Sequence, residues 1–570
     1  MAVNIIGTPG DDILTGTPEG EYISGQEGDD TLSGLGGDDY LNGGVGDDTL
    51  SGDDGNDILS GGLGSDTLDG GAGDDILYPG RDFNNQPGFD GPDIVRGGAG
   101  TDAVTYGTSD EGVTVNLMTG LGSGGDAEGD QYFDIEDIIG VGAQHDVLIG
   151  NDADNYIEGR SGNDYVSAGG GDDEISVYGA AQVDGGAGED TLRINVDGLL
   201  DATSGTIAGG GSFTNIENFI VYGNQDNDVF ITGDGDDLIY GNGGEDILFA
   251  GAGDDFLQGG IGDDLLGGGA GADEIRGDYQ RTGYFDTATY ASSTAGVTVN
   301  LATGEGQGGD AEGDTLFYIH GLVGSAFDDV LIGSTDDDVL DGGAGNDHLI
   351  AGGNEDGDAF QNGGDLLRGG AGADILEGAD DEDELTRVTY DTSGTGVAVN
   401  LGTGLGSGGD AEGDSFIRIR DVEGSAHADT LIGGAGRDYL DGAAGADTLQ
   451  GAGGHDSLHG GDGADTLEGG AGNDWLVGGA GADIFLFDTE AGSRDLIVDF
   501  EAGTGGDVIQ LSAPLQDWSG IHSFADLAAH ATDTADGLYI DLGDGRPWTF
   551  GVLIEDTQLS DLTPENLHLA

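Results

Sequence analysis

A nine-residue period constrains this chain more than any other feature of it. Stepping by nine, acids fall at Asp12, Glu21, Asp30, Asp39, Asp48, Asp57, Asp66 and Asp75. Two residues after each stands an aliphatic: Leu14, Ile23, Leu32, Leu41, Leu50, Leu59, Leu68 and Leu77. The cleanest unit reads GGVGDDTLS, at 43–51. The ladder returns five times. A short piece holds Asp93 and Asp102; another holds Asp146, Asp164, Asp173 and Asp190, with Asn155 in an acid slot. A clean run follows at Asp228, Asp237, Asp246, Asp255, Asp264 and Asp273. The next, Asp329, Asp338, Asp347, Asp365 and Asp374, is broken by NEDGDAFQN. The last is Asp429, Asp438, Asp447, Asp456, Asp465, Asp474 and Asp483. A fixed short period is the mark of a repeat fold in which each unit buries its apolar face only against its neighbours.

The unit can be read physically. Its glycines permit the positive φ of a tight turn. The short strand that follows turns its central aliphatic inward and its two neighbours outward. One nonapeptide makes half a coil, and two make a full turn of a right-handed parallel β-roll, with coils stacked about 4.8 Å apart. One inward aliphatic per nine residues is a thin core, so burial alone is not expected to offset the chain entropy. The chain has no cysteine to staple it. It also carries 113 acidic residues against 13 basic, a net charge of −100. Stacked aspartates at this spacing repel one another unless a cation lies between them. Carboxylate and carbonyl oxygens, without His or Cys, select calcium over zinc or copper. Folding is therefore expected to be coupled to several Ca²⁺ ions.

These GGxGxDxLx units resemble the RTX (repeat-in-toxin) hemolysin-type calcium-binding nonapeptide. The resemblance implies an all-β fold of several parallel β-roll (β-solenoid) blocks. It also implies that the ladder aspartates named above ligate Ca²⁺ together with turn carbonyls of adjacent coils. Glu21 and Asn155 depart from the pattern, and weak or empty sites are expected there.

Between the ladders lie three cassettes of about 40 residues, beginning at Tyr106, Tyr290 and Tyr390. Each contains GVTVNL or GVAVNL, a half-buried strand by its alternation. Each also contains the heptapeptide GGDAEGD, at 124–130, 308–314 and 408–414. Its acids are Asp126, Glu128 and Asp130, then Asp310, Glu312 and Asp314, then Asp410, Glu412 and Asp414. If the segment is extended, the three carboxylates of a copy share one face and could start a further calcium site. The cassettes are similar to segments that separate repeat blocks in long secreted RTX proteins. A weaker relative at 191–222 matches only the second half, in SFTNIENFIVYG.

The ladder is expected to stop at Asp483. Beyond it, Asp495, Ile497, Asp499, Phe500, Gly503, Asp507, Ile509, Leu511 and Ser512 form a pattern similar to the segment after the repeats of serralysin-type proteases. A short helix over SFADLAAHA and a hairpin around Gly543–Gly545 are expected next. The domain division is then 1–104, 146–193, 228–278, 329–385 and 429–487 for the roll blocks, with cassettes at 105–145, 279–328 and 386–428. A degenerate β insertion fills 194–227, and 488–570 is the C-terminal segment.

Several functions are disfavoured. A polyanion does not suit nucleic acid or an anionic membrane surface. No apolar run approaches a membrane span. The start lacks the features of a classical signal peptide, and the family resemblance implies an uncleaved C-terminal type I secretion signal. There is no HExxH and no GxSxG. His455 and His459 fall in a turn and a strand of one repeat, as surface residues. The three tryptophans, Trp475, Trp518 and Trp548, are expected to build core. The expected function is non-catalytic: a secreted, self-assembling structural component of a surface layer, fibre or biofilm matrix. The alternative is an adhesin for cell-surface polysaccharide, or a calcium-dependent accessory protein.

Overall fold

The computed structural model describes residues 4–80, 90–278, 284–353, 364–379, 386–489, 494–543 and 550–569. NEDGDAFQN, Trp548 and the turn of the C-terminal hairpin lie outside the described residues. The chain divides into two compact units, 1–268 with 273–284, and 269–272 with 285–570.

In the first unit each nonapeptide places one short strand, and alternate strands build two parallel sheets. Tyr22–Glu27, Tyr40–Val45, Ile58–Leu63 and Ile76–Tyr78 follow one another in one sheet. Thr31–Ser33, Thr49–Asp54, Thr67–Ala72 and Ile94–Ala99 do so in the other. The register pairs like with like: Ile23 with Leu41, Leu41 with Leu59, and Leu59 with Leu77. All four are fully buried. The core is thus two columns of single aliphatics, one per sheet, as one inward residue per strand requires. A β-roll built of parallel coils is the fold expected from the period.

The cassettes do not interrupt the roll, which corrects their reading as separate joints between blocks. In the first, Gln131–Phe133 pairs with Ile94–Ala99, and Asp137–Ile139 pairs with Ala103–Thr105. Tyr132 stacks in register on Val95, and Ile138 on Val104. The cassette adds a switchback. Thr114–Asn116 runs parallel to Val147–Ile149, then turns antiparallel through Leu121–Ser123 back toward Gln131–Phe133. The chain steps ahead and then returns to fill the place it skipped. The 191–222 segment has the whole of this topology, not half. Leu199–Asp201, Thr206–Ile207 and Gly211–Thr214 form the same switchback between Gln182–Ala187 and Val229–Ile231.

The second unit repeats the design. Its switchbacks are Thr298–Asn300 with Glu305–Gln307 and Thr315–Phe317, and Ala398–Asn400 with Leu405–Ser407 and Ser415–Ile417. The coils also continue past Asp483. Arg494–Ile497 adds to Trp475–Gly481, and Val508–Leu511 adds to Ile484–Phe487. Two helices follow, Ala513–Ser519 and Phe524–His530, each N-capped by a serine hydroxyl, Ser512 and Ser523. Gly537–Asp541 and Gly551–Glu555 pair antiparallel as the expected hairpin strands. Leu515, Ile521, Leu527, Leu538, Ile540, Val552 and Ile554 are buried here, a denser core than the coils have. The tryptophans are a further correction: Trp475 and Trp518 are about half exposed. Trp475 immediately precedes an inward leucine, so strand alternation turns it outward.

Because each coil has so few inward residues, one truncation should be felt strongly. Leu458→Ala, at a fully buried column position, is expected to lower the stability of the calcium-loaded protein by about 2–5 kcal/mol. Trp475→Ala should change it by about 0.5 kcal/mol or less. Denaturant unfolding of the two variants against the parent checks both values.

Candidate metal centre

Each ladder acid sits where a turn enters a strand, and its two carboxylate oxygens have different surroundings. One oxygen is held by the coil before. The Asp30 backbone N–H donates to Oδ1 of Asp48 at 2.7 Å, Asp39 donates to Asp57 at 2.7 Å, and Asp48 donates to Asp66 at 2.7 Å. This bond recurs in both units, through Asp447 to Asp465 at 2.8 Å and Asp456 to Asp474 at 2.9 Å. Insertions do not break it. The Asp66 and Asp75 N–H groups reach across 27 residues to Asp93 and Asp102.

The second oxygen is buried and accepts no hydrogen bond at Asp30, Asp39, Asp48, Asp57, Asp66, Asp75, Asp93 and Asp102. The same is true of Asp164, Asp173, Asp190, Asp237, Asp246, Asp255, Asp347 and Asp374, and of Asp447, Asp456, Asp465, Asp474 and Asp483. A buried carboxylate oxygen without a partner is costly. Its surroundings show what would satisfy it. A Cβ placed on Gly52 would strike both Oδ2 of Asp57 and the carbonyl oxygen of Gly70 in the next coil. Gly451 stands in the same relation to Asp456 and the Gly469 carbonyl. Glycine thus leaves open a space lined by a carboxylate and a carbonyl oxygen, a donor set suited to calcium. Among the described residues no three His, Cys, Asp or Glu side chains converge to hold a metal. The donors seen around each such gap are a carboxylate oxygen and a backbone carbonyl oxygen. Asp264, Asp273 and Asp365 take the same N–H bond from Asp246, Asp255 and Asp338.

Electrostatics agree. Burial raises the carboxyls of Asp57, Asp48 and Asp66 from 3.8 to about 6, 7 and 8, while their backbone hydrogen bonds pull the other way and neighbouring aspartates add to the rise. Asp93 is pushed to about 10, first by burial and then by Asp130. A cation beside these groups would supply the missing stabilisation of their charge.

At other ladder positions the second oxygen already accepts a backbone hydrogen bond. Oδ2 of Asp12 accepts from the Thr8 N–H at 2.6 Å, and that of Asp146 from Val141 at 2.7 Å. Asp228 accepts from Asn224 at 3.0 Å, Asp329 from Ser325 at 2.6 Å, Asp429 from Ser425 at 2.7 Å and Asp438 from Gly434 at 2.6 Å. Asp338 accepts from Ser334. Glu21 and Asn155 are bonded likewise, by Thr17 and Asn151. These are the first positions of each run. Their turns fold back so that an N–H four or five residues earlier caps the acid.

The heptapeptide is not extended, so its three carboxylates do not converge; this corrects the shared-face reading of Asp126, Glu128 and Asp130 and of the other two copies. A 3-10 turn covers Gly125–Ala127, Gly309–Ala311 and Gly409–Ala411. All three glycines of the motif require positive φ: 77°, 50° and 97° at Gly124, Gly125 and Gly129 in the first copy. Glu128, Glu312 and Glu412 cap their own loops, accepting from the N–H of Gly124, Gly308 and Gly408 at 2.9, 2.9 and 2.8 Å. The backbone N–H groups of Asp126, Asp310 and Asp410 bond to the hydroxyls of Ser109, Ser293 and Ser393. The last acid belongs to the ladder. Asp130 accepts the Asp93 N–H, and Asp414 the Asp374 N–H, both at 2.9 Å. Its second oxygen meets a tyrosine hydroxyl, from Tyr106, Tyr290 or Tyr390.

Sequence reasoning also missed the end of the ladder. Asp474 and Asp483 donate to Asp495 and Asp507 at 3.2 and 2.9 Å, so the row does not stop at Asp483. Glu136 and Glu217 stand in for aspartate, accepting from Asp102 and Asp190 at 3.0 Å. The D-x-I pattern of Asp495–Ile497 and Asp507–Ile509 carried the signal. The histidines make local contacts: His455 Nδ1 accepts from the Asn473 N–H at 2.9 Å, and His459 packs on Tyr439.

The raised carboxyl values fix the sign of a pH effect. Between 3.8 and about 6–8 the metal-free folded roll binds more protons than the unfolded chain, so its stability falls as pH rises through that window. Taking chelated protein from about pH 8 to about pH 5 should increase the β signal in circular dichroism. An unchanged or weaker signal would contradict the assignment.

Comparison with curated proteins gives no match. A family model, the RTX calcium-binding nonapeptide repeat, matches residues 15–50, 51–85, 141–175, 222–257, 243–275, 323–357, 361–386, 423–458 and 459–489. These matches cover just over half of the chain and fall on the nonapeptide coils. With a parallel β-roll and a row of buried oxygen sites, the chain belongs to the RTX calcium-binding repeat proteins.

Proposed function

We propose that this calcium-binding RTX protein is secreted and non-catalytic, and that it self-associates in calcium as a structural component of a cell surface or extracellular matrix. The ladder runs through nearly all of the described chain, so the molecule is mostly scaffold. One observation carries the self-association. A second row of acids lies outside the first, exposed on the turns and in register from coil to coil. Asp11 accepts from the Asp29 N–H at 3.1 Å, Asp29 from Asp47 at 3.0 Å, and Asp47 from Ser65 at 2.9 Å. Asp328 and Asn346 continue this arrangement in the second unit. On a chain of net charge −100, such rows repel other copies in low calcium. Divalent cations would neutralise and bridge them. No helix among the described residues is long and apolar enough to cross a membrane.

A second reading, a carbohydrate-binding adhesin, has one observation in its favour. Tyr222, Tyr240 and Phe256 form an outward row with ring centroids 5.1 and 5.4 Å apart, and the Arg276 guanidinium lies 5.4 Å from the Phe256 ring. Aromatic faces of this kind suit sugar rings.

Light scattering and electron microscopy on purified protein separate the two. Structural self-association predicts ordered assemblies in millimolar calcium that dissolve on chelation. A protein that remains monomeric at high concentration in calcium, but binds on a glycan array, would favour the adhesin.

A further inference from the structure

Three of the largest fully buried side chains are tyrosines, Tyr106, Tyr290 and Tyr390, and each opens a cassette. A buried tyrosine hydroxyl needs a partner. All three find the same one, the last aspartate of the heptapeptide. The hydroxyl donates to Oδ2 of Asp130 at 2.5 Å, of Asp314 at 2.9 Å and of Asp414 at 2.7 Å. In the first copy the Tyr132 hydroxyl lies 2.6 Å from that of Tyr106 and extends the chain of hydrogen bonds.

Asp130 and Asp414 are otherwise ordinary ladder acids, with Oδ1 holding the N–H of the coil before. Only the second oxygen differs. In the interior repeats of each run, as at Asp48 and Asp456, it is buried with no donor. In the cassettes a hydroxyl hydrogen points into it, directing the positive end of a dipole to the place a cation would take. That bond satisfies the buried carboxylate without a metal. The residues at these three coils do not fit calcium.

We propose that the cassettes are calcium-independent coils, in which a tyrosine hydroxyl replaces the ion and holds the register of the roll when calcium is absent. Each then offers the flanking repeats a formed strand edge to add to when calcium arrives. The switchback adds antiparallel pairing that depends on no metal. This explains why the tyrosine and the heptapeptide recur together at fixed spacing.

Hydrogen exchange on the full chain in chelator tests the proposal. Backbone amides at 104–133 and 388–417 should exchange roughly tenfold or more slowly than those at 40–75 and 439–477. Equal exchange in the two sets would overturn it. Tyr390→Phe removes the donor with almost no change of volume. It should abolish protection at 388–417 in chelator and restore it in calcium; protection that survives chelation in this variant would overturn the role of the hydroxyl. A metal count gives an independent reading. Asp414→Asn should leave the number of bound calcium ions unchanged, while Asp456→Asn should lower it. An equal loss in both variants would show that Asp414 is a calcium ligand, against the proposal.

Discussion

A buried carboxylate with one oxygen paired and the other open is the interaction on which this fold depends. The paired oxygen takes a backbone N–H from the coil before, which ties successive coils and sets their register. The open oxygen faces a carbonyl across a gap that glycine keeps clear. Neither half stands without the other. The N–H bond brings stacked carboxylates close together inside the protein, and burial then makes their charge costly. The core cannot absorb that cost, since each strand supplies one inward aliphatic. Calcium in the gap would remove the repulsion and could take oxygens from both coils. The nonapeptide places in each coil the residues this arrangement needs and little else.

The same carboxylate is completed in three ways along the chain. In the interior of each run the second oxygen is left to the cation. At the first positions of a run a nearby N–H closes it, as Ser425 does for Asp429. In the cassettes a tyrosine hydroxyl closes it. Calcium-dependent stretches are thus bounded by stretches held by protein donors alone. A roll built this way has its metal sites inside runs, where two neighbouring turns can contribute oxygens, and has self-sufficient coils at the boundaries. The C-terminal segment ends the second unit by a different device, helices and a hairpin with a dense apolar core.

The repeating part of this design was legible in the residues. The acid at every ninth position and the aliphatic two residues later identified the turn, the strand and the inward column, and the oxygen-only donor set identified the metal. What was hidden was hidden by spacing. Asp130 follows Asp93 by 37 residues, and Asp414 follows Asp374 by 40, because the switchback intervenes, so a step of nine passes over them. The D-x-aromatic signal of Asp130–Tyr132 and Asp414–Phe416 was present all the same. Asp495 and Asp507 escaped for the same reason, lying 21 and 24 residues from their donors. GGDAEGD misled in another way. Alternating acids suggest a shared face only in an extended chain, and its glycines at positive φ bend it instead. Closure of Asp12 or Asp429 by an N–H depends on turn geometry, which the residue type of the acid does not reveal.

Anomalous diffraction from crystals grown in calcium tests the central claim most directly. Peaks about 2.3–2.6 Å from Oδ2 of open acids such as Asp48, Asp57, Asp66, Asp447 and Asp456, bridging to carbonyls of the adjacent coil, are the predicted result. An ordered roll with no anomalous density along these rows would contradict it, because the buried carboxylates would then have to be held by something other than the metal.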